Sequence, residues 1–403
     1  MSNQASAPAH AGAPPLLAIV YLALAAGVSA MTMRVNDALL PQLARTFGEP
    51  LATTAQVVSL YALAYGVTQL VWGPVGDRVG KYRVVAWAVL GSAVLSAACA
   101  LSETFAQLRA ARVVSGMLGA AIIPLAIAWI GDVVPYERRQ PVLARFLIGQ
   151  ITGLAAGVWL GGVAADHFSW RMPYYVLTVL YGVACVPLWR GLRRLPQPAA
   201  PTERQPLSQM AAGFAHVLRQ RSARALLLTV ALEGAFLFGP LAFVAAHLHT
   251  RLGVSLTVAG SLLMMYGAGG FVYALAARRL VAGLGEVGLA RAGAVCLCLG
   301  LGAIAVAPMW MFGVVGSLLS GLGFYMMHNT LQVNATQMAP QARGAAVSSF
   351  AASFFLGQAA GVSLTGWLAA RFGSGPAIAT GGVALLGVGL AFGQMLARRK
   401  AAG

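Results

Sequence analysis

The stretch GPVGDRVGKYR, Gly73 to Arg83, sets Asp77, Arg78, Lys81 and Arg83 between two long apolar runs. Charge is scarce elsewhere. Of 403 residues, 59% are hydrophobic and 9% are charged, against about 25% charged in an ordinary soluble domain. Such a chain cannot cover a water-facing surface, so its solvent is lipid. Its net charge of +17 is then read through the placement of arginine and lysine around membrane spans. Nucleic-acid binding is excluded, because no basic run comes with an aromatic stacking platform or a soluble domain.

A helix crossing about 30 Å of hydrocarbon needs roughly 20 apolar residues. Twelve segments qualify: 15–41, 52–75, 84–104, 107–132, 140–165, 170–190, 223–249, 255–279, 288–307, 309–337, 342–370 and 374–397. They are rich in Gly and Ala, as helices packed closely in a bilayer require. None alternates over about ten residues as a β-barrel strand would. With both termini placed in the cytoplasm, twenty of the 27 basic residues fall in or beside inner loops and tails. The asymmetry predicts that orientation in a bacterial-type inner membrane, and puts GPVGDRVGKYR in the inner loop between spans 2 and 3.

The polar interval 191–222 holds four prolines and ends in a short amphipathic stretch. It is expected to be a cytoplasmic linker between two six-helix bundles, 15–190 and 223–397. Residues 1–14 are expected to form a disordered tail, and 398–403 a basic cytoplasmic tail. The halves match at a nearly constant offset: Tyr61 with Tyr266, Arg78 with Arg278, Pro135 and Arg138 with Pro340 and Arg343, and Gly153-x-x-x-Gly157 with Gly357-x-x-x-Gly361. These matches predict an internal duplication. Paired bundles with a midplane site between them are the architecture of alternating-access transporters.

Through Gly73, Asp77, Arg78, Gly80, Lys81 and Arg83 the opening stretch resembles the G-x-x-x-D-R-x-G-[RK]-x-[RK] signature of major facilitator superfamily transporters. The resemblance covers nearly the whole chain and implies the all-α fold of two pseudo-symmetric six-helix bundles. It also implies a cytoplasmic latch in which Asp77 accepts from the N-terminus of span 11 near Gln341, joined by Asp132, Glu137 and Arg138 after span 4. Leu108-x-x-x-Arg112-x-x-Ser115-Gly116 is similar to the family's span-4 pattern, with Ser115 in place of glutamine; in the family this arginine is linked to proton transfer. Gly153-x-x-x-Gly157-Val158-x-x-Gly161-Gly162 is similar to the antiporter pattern of span 5, with Val158 in place of proline. Any closely packed membrane helix can carry such a glycine stripe. The run RVNDALLP, Arg34 to Pro41, resembles a segment of the twelve-span drug/proton antiporter group.

Ionisable groups inside a span cost at least about 2.5 kcal/mol each, so the few present need a role. Asp37 and Arg112 fall at similar depth on antiparallel spans and can pair. Arg34, one turn before Asp37, competes as partner. Glu233 lies near the middle of span 7 with no basic residue within a turn. It is expected to carry a proton during part of a cycle, or else to donate one structural hydrogen bond. His328 sits toward the inner end of span 10, where it is either a cavity residue or a helix-end polar group near water. Tyr61, Tyr65 and Gln69 share one face of span 2 and line either the substrate cavity or a packed core.

The expected function is proton-coupled efflux of a small organic compound or drug by alternating access; uptake or uniport of a small metabolite, such as an organic anion or sugar, is the alternative. Protons, a small-molecule substrate and the lipid bilayer are the expected partners of a monomer. An enzyme is not expected, since no HExxH, GxSxG or paired-cysteine motif occurs. No cofactor or metal is expected: Cys296 and Cys298 have no second ligand pair nearby.

Overall fold

The computed structural model describes residues 16–194 and 207–402; the expected tail 1–14 lies outside them, as do residues 195–206 of the linker. In the first half the helices are α1 (Leu16–Arg34), α2 (Leu40–Phe47), α3 (Leu51–Thr54), α4 (Gln56–Val79), α5 (Lys81–Ala100), α6 (Phe105–Val133), α7 (Tyr136–His167) and α8 (Met172–Arg194). The linker helix α9 (Leu207–Arg219) leads into α10 (Arg221–Leu252), α11 (Leu256–Val306), α12 (Trp310–Gln337), α13 (Arg343–Phe372) and α14 (Ser374–Ala402). Eleven helices among the described residues are long and apolar enough to cross a membrane. One of them, α11, has 51 residues and folds at Gly285, where φ is 59°. Unbroken, it would be roughly 75 Å long, more than twice the hydrocarbon thickness. Its two arms are spans 8 and 9, so the chain makes twelve passes. The exterior confirms lipid as solvent: Leu275 is 89% exposed, and Val94, Val179 and Val383 also face outward.

Three boundaries differ from the sequence reading. Span 1 was expected to be continuous to residue 41, but α1 stops at Arg34. Residues 35–39 continue as a tight turn with Asp37 N–H donating to Arg34 and Leu39 N–H to Asn36. Asn36 and Asp37 are poor helix formers, and Pro41 starts α2 where its missing amide costs nothing. Gly73–Arg83 was expected to be a loop, yet α4 runs through Pro74 to Val79 and α5 begins at Lys81. The entire connection is Gly80, whose φ of 101° suits glycine. Gly285 occupies the matching corner, 205 residues later. Thr104 and Gln107 form a reciprocal capping box that starts α6.

Each bundle has its own apolar core, one drawn mainly from α1–α8 and the other mainly from α10–α14. Inside each, helices meet backbone to backbone. A Cβ on Gly153, Gly157 or Gly161 of α7 would run into the carbonyls of Gly27, Met31 or Val35 on α1 and its following turn. Gly357 and Gly361 of α13 meet Ala231 and Ala235 of α10 in the same way. Gly116 lies on the Tyr61 carbonyl, and Gly321 on that of Tyr266. The duplication is therefore present in the packing as well as in the sequence. Replacing Gly157 by valine is expected to cost about 1–3 kcal/mol through overpacking. Gly131→Val, at a position with open space, is the control that should unfold at the parent temperature in a detergent melt.

Candidate functional site

Two acid–base pairs, each with a fully buried carboxyl group, lie on opposite sides of the seam between the bundles. In the first bundle an Nη of Arg34 is 2.7 Å from Asp37, with side chains 6% and 0% exposed. Of the two candidate partners, Asp37 thus takes Arg34, the neighbour one turn away, and makes no ion pair with Arg112. Arg112 is held otherwise: its Nε donates to the Val57 carbonyl at 3.1 Å and an Nη to that of Thr32 at 3.3 Å. Its guanidinium lies 4.1 Å from the centre of the Tyr61 ring, a cation–π contact strengthened by the absence of water. The Tyr174 hydroxyl donates to Asn36 at 2.6 Å, holding the turn that carries Asp37. Although Arg34 and Asp37 touch, no N–H is aligned on either carboxylate oxygen, and one further Nη of each arginine is buried without a partner.

In the second bundle Glu233 of α10 is fully buried and 2.7 Å from Nδ1 of His328 on α12. This corrects the reading of Glu233 as partnerless, which considered only its own helix. Glu233 lies twelve residues after the start of α10, and His328 nine before the end of α12. At about 1.5 Å per residue these are comparable depths, the signal that could have joined them. The imidazole stacks on Phe324 at 4.6 Å and sits 4.9 Å from Phe354. The Glu233 side chain is fully buried and that of His328 is 17% exposed, so among the described residues the imidazole is the one partner of a carboxyl that water does not reach.

The two pairs are linked across the seam. The Arg34 guanidinium is 5.0 Å from the ring of Phe238 on α10, and Phe238 packs edge-on against Tyr266, Phe324 and Phe354. Tyr65 of α4 meets Phe355 of α13 at 4.0 Å between centroids. Tyr61 stays within its own bundle, against Arg112 and Gly119. Gln69 is buried, with its Oε1 unpartnered. This belt of aromatic rings was not read from the sequence, because rings on separate helices carry no local spacing signal.

The end of the molecule from which both described termini emerge, here the tail end, holds the expected latch residues. Lys81 Nζ contacts Asp132 at 2.6 Å and Asp77 at 3.3 Å. Asp77 does not cap span 11: α13 follows a 3₁₀ turn at Pro340–Ala342, and no side chain caps its start. The carboxylate instead follows the corner at Gly80 to the lysine four residues on. Gly73 faces Ser348 of α13 at van der Waals distance. Arg78, Arg83 and Arg138 are exposed at this end; the Glu137 side chain lies outside the described residues. Gly162, beside the α1-facing stripe, faces Leu256 of α11.

Two helical bundles thus meet at a seam that carries buried ionisable groups. The family profile described as Major Facilitator Superfamily matches residues 22–362, and the chain belongs to that superfamily. It is 30% identical over 179 residues to the uncharacterized MFS-type transporter YvkA of Bacillus subtilis, covering 44% of this chain and 40% of the relative. It is 25% identical over 175 residues to the multidrug export protein EmrB of Escherichia coli, covering 43% and 34%. The match thus spans less than half the length of either. The B. subtilis transporter YceJ, 24% identical, is matched over 82% of this chain and 83% of its own. The fold is shared with the peptide transporter POT (TM-score 0.79, 16% identity, 96% and 95% coverage). It is shared too with the human organic anion transporter MFSD10 (TM-score 0.72, 17% identity, 93% and 99% coverage).

Removing one member of the second pair is expected to cost more than removing both. His328→Ala should lower stability by about 1–3 kcal/mol by leaving the buried Glu233 carboxyl without its hydrogen-bond partner. Adding Glu233→Gln to that variant should recover part of the loss in the same thermal melt, which a pair of independent sites would not do.

Proposed function

We propose that this chain is a secondary transporter that exports a small organic compound in exchange for protons, with both tails in the cytoplasm of a bacterial-type cell. The observation that carries the reading is the placement of Arg34–Asp37 and Glu233–His328 on the two sides of one seam, joined through Phe238. Similarity to a protein named for multidrug export supports the direction. With the seam open to the outside, a proton binds Glu233 or Asp37 and its partner loses a counter-charge. Closure then no longer buries that carboxylate as an anion. With the seam open to the cytoplasm, the proton leaves and substrate takes its place. A difference of one charge between loaded and empty forms is worth about 2.3 kcal/mol per 100 mV of membrane potential, enough to bias the cycle. The aromatic belt supplies a flat apolar lining for an organic substrate.

A second reading, uptake or uniport of an anionic metabolite, draws on one observation: Arg34 and Arg112 each keep a buried Nη donor without an acceptor. An anion's oxygens would satisfy both. Proteoliposome flux under an imposed pH gradient separates the readings. Exchange predicts substrate moving against the proton flow; cotransport predicts the same direction. In the exchange reading at least one of Glu233→Gln and Asp37→Asn, the one that removes the proton carrier, abolishes pH-driven accumulation while leaving substrate binding measurable. Unchanged pH-driven transport in both variants would remove these residues from the coupling.

A further inference from the structure

At the end opposite the tails, the two bundles are bonded to one another through a carboxylate. Asp166, in the last turn of α7, accepts from the backbone amides of Leu256 at 3.1 Å and Thr257 at 2.6 Å, the first residues of α11. These are orphan donors of a helix N-terminus, where negative charge is favoured. α11 has its own N-cap as well, the Ser255 hydroxyl accepting from Val258 at 3.2 Å. Asp166 is thus a second acceptor, brought from the other bundle. One turn before it, Gly162 permits the approach: a Cβ there would strike the Leu256 carbonyl.

The arrangement repeats the one expected at the tail end. Gly162-x-x-x-Asp166 closes span 5 as Gly73-x-x-x-Asp77 closes span 2. Span 5 runs opposite to span 2, and span 8, which Asp166 caps, runs opposite to span 11. Inverted three-helix repeats within each six-helix half place spans 2 and 5, and spans 8 and 11, in equivalent positions. In this structure the far-end carboxylate is bonded across the seam. The tail-end one, with its side chain 57% exposed, is turned to Lys81, and the start of α13 has no side-chain cap.

We infer that Asp166 is a far-end latch, the inverted-repeat counterpart of Asp77, and that the two carboxylates cap helices of the opposite bundle in alternation as the molecule changes state. The inference rests on the alternating-access reading above and adds a residue to it. Closing either end gives one helix N-terminus an anionic cap and takes one from the other end. Neither state then holds a surplus of such bonds, and the two remain close in free energy.

The test is a pair of spin-label distances in a full-length protein whose four native cysteines are replaced by serine. Labels at Glu103→Cys and Met309→Cys report the far end; labels at Arg145→Cys and Arg279→Cys report the tail end. All four positions are exposed. Asp166→Ala is expected to shift the ratio of far-open to far-closed populations by roughly threefold or more, the scale of a lost helix cap. Asp77→Ala should shift the ratio the opposite way, and the double variant should return toward the parent. Asp166→Asn, which keeps the side-chain volume, should shift the ratio in the same direction by less. If the parent shows two populations at each end and neither Asp166 variant changes their ratio, the latch is overturned while alternating access stands. A single population at both ends, with and without a pH gradient, overturns both.

Discussion

In hydrocarbon a charge has no water to fall back on, so it is held by another part of the same chain or it is not tolerated. Each buried charge here meets that condition differently. Asp37 has the arginine one turn before it on the chain. Arg112 is carried by two backbone carbonyls and an aromatic face. Glu233 is met by an imidazole from a helix almost a hundred residues away in sequence. None of these arrangements is saturated: Asp37, Glu233 and both arginines each retain a buried atom without an aligned partner. A purely structural ion pair would be expected to close on itself. Both pairs are incomplete in hydrogen bonding.

These contacts depend on how closely the helices approach. The glycines of α7 and α13 remove the side chains that would otherwise separate them from α1 and α10. Gly116 of α6 in the same way meets the Tyr61 carbonyl of α4, and the carbonyls of Val57 and Thr32 lie within reach of Arg112 on α6. Packing and electrostatics are one design in this molecule. A larger residue in the stripe would move the charges as well as the helices.

The sequence made the twelve passes legible because lipid demands long apolar runs and arginine avoids their centres. The duplication was legible for a related reason: equal spacing of Tyr61 and Tyr266, or of Gly153 and Gly357, survives any folding. What could not be read were relations between helices. Asp37 had two candidate partners, and only packing selected Arg34. Glu233 and His328 shared a depth, but pairing them required knowing that α10 and α12 adjoin. Gly80 was recognised as part of a motif, while the continuation of helix beyond residue 75 to Val79 on one side of it was not. A proline within a helix usually argues for a break, and here the helix around Pro74 carries on. Asp166 drew no notice, since a lone acid at a span end is ordinary until its neighbours are known.

Gly80 and Gly285 have one more implication. Each joins two membrane-crossing rods through a single residue, with no loop to absorb displacement. The end of α4 and the start of α5 therefore stay one residue apart, as do the two arms of α11, however the rods tilt. Any slack added there would let one rod swing while its neighbour stayed behind.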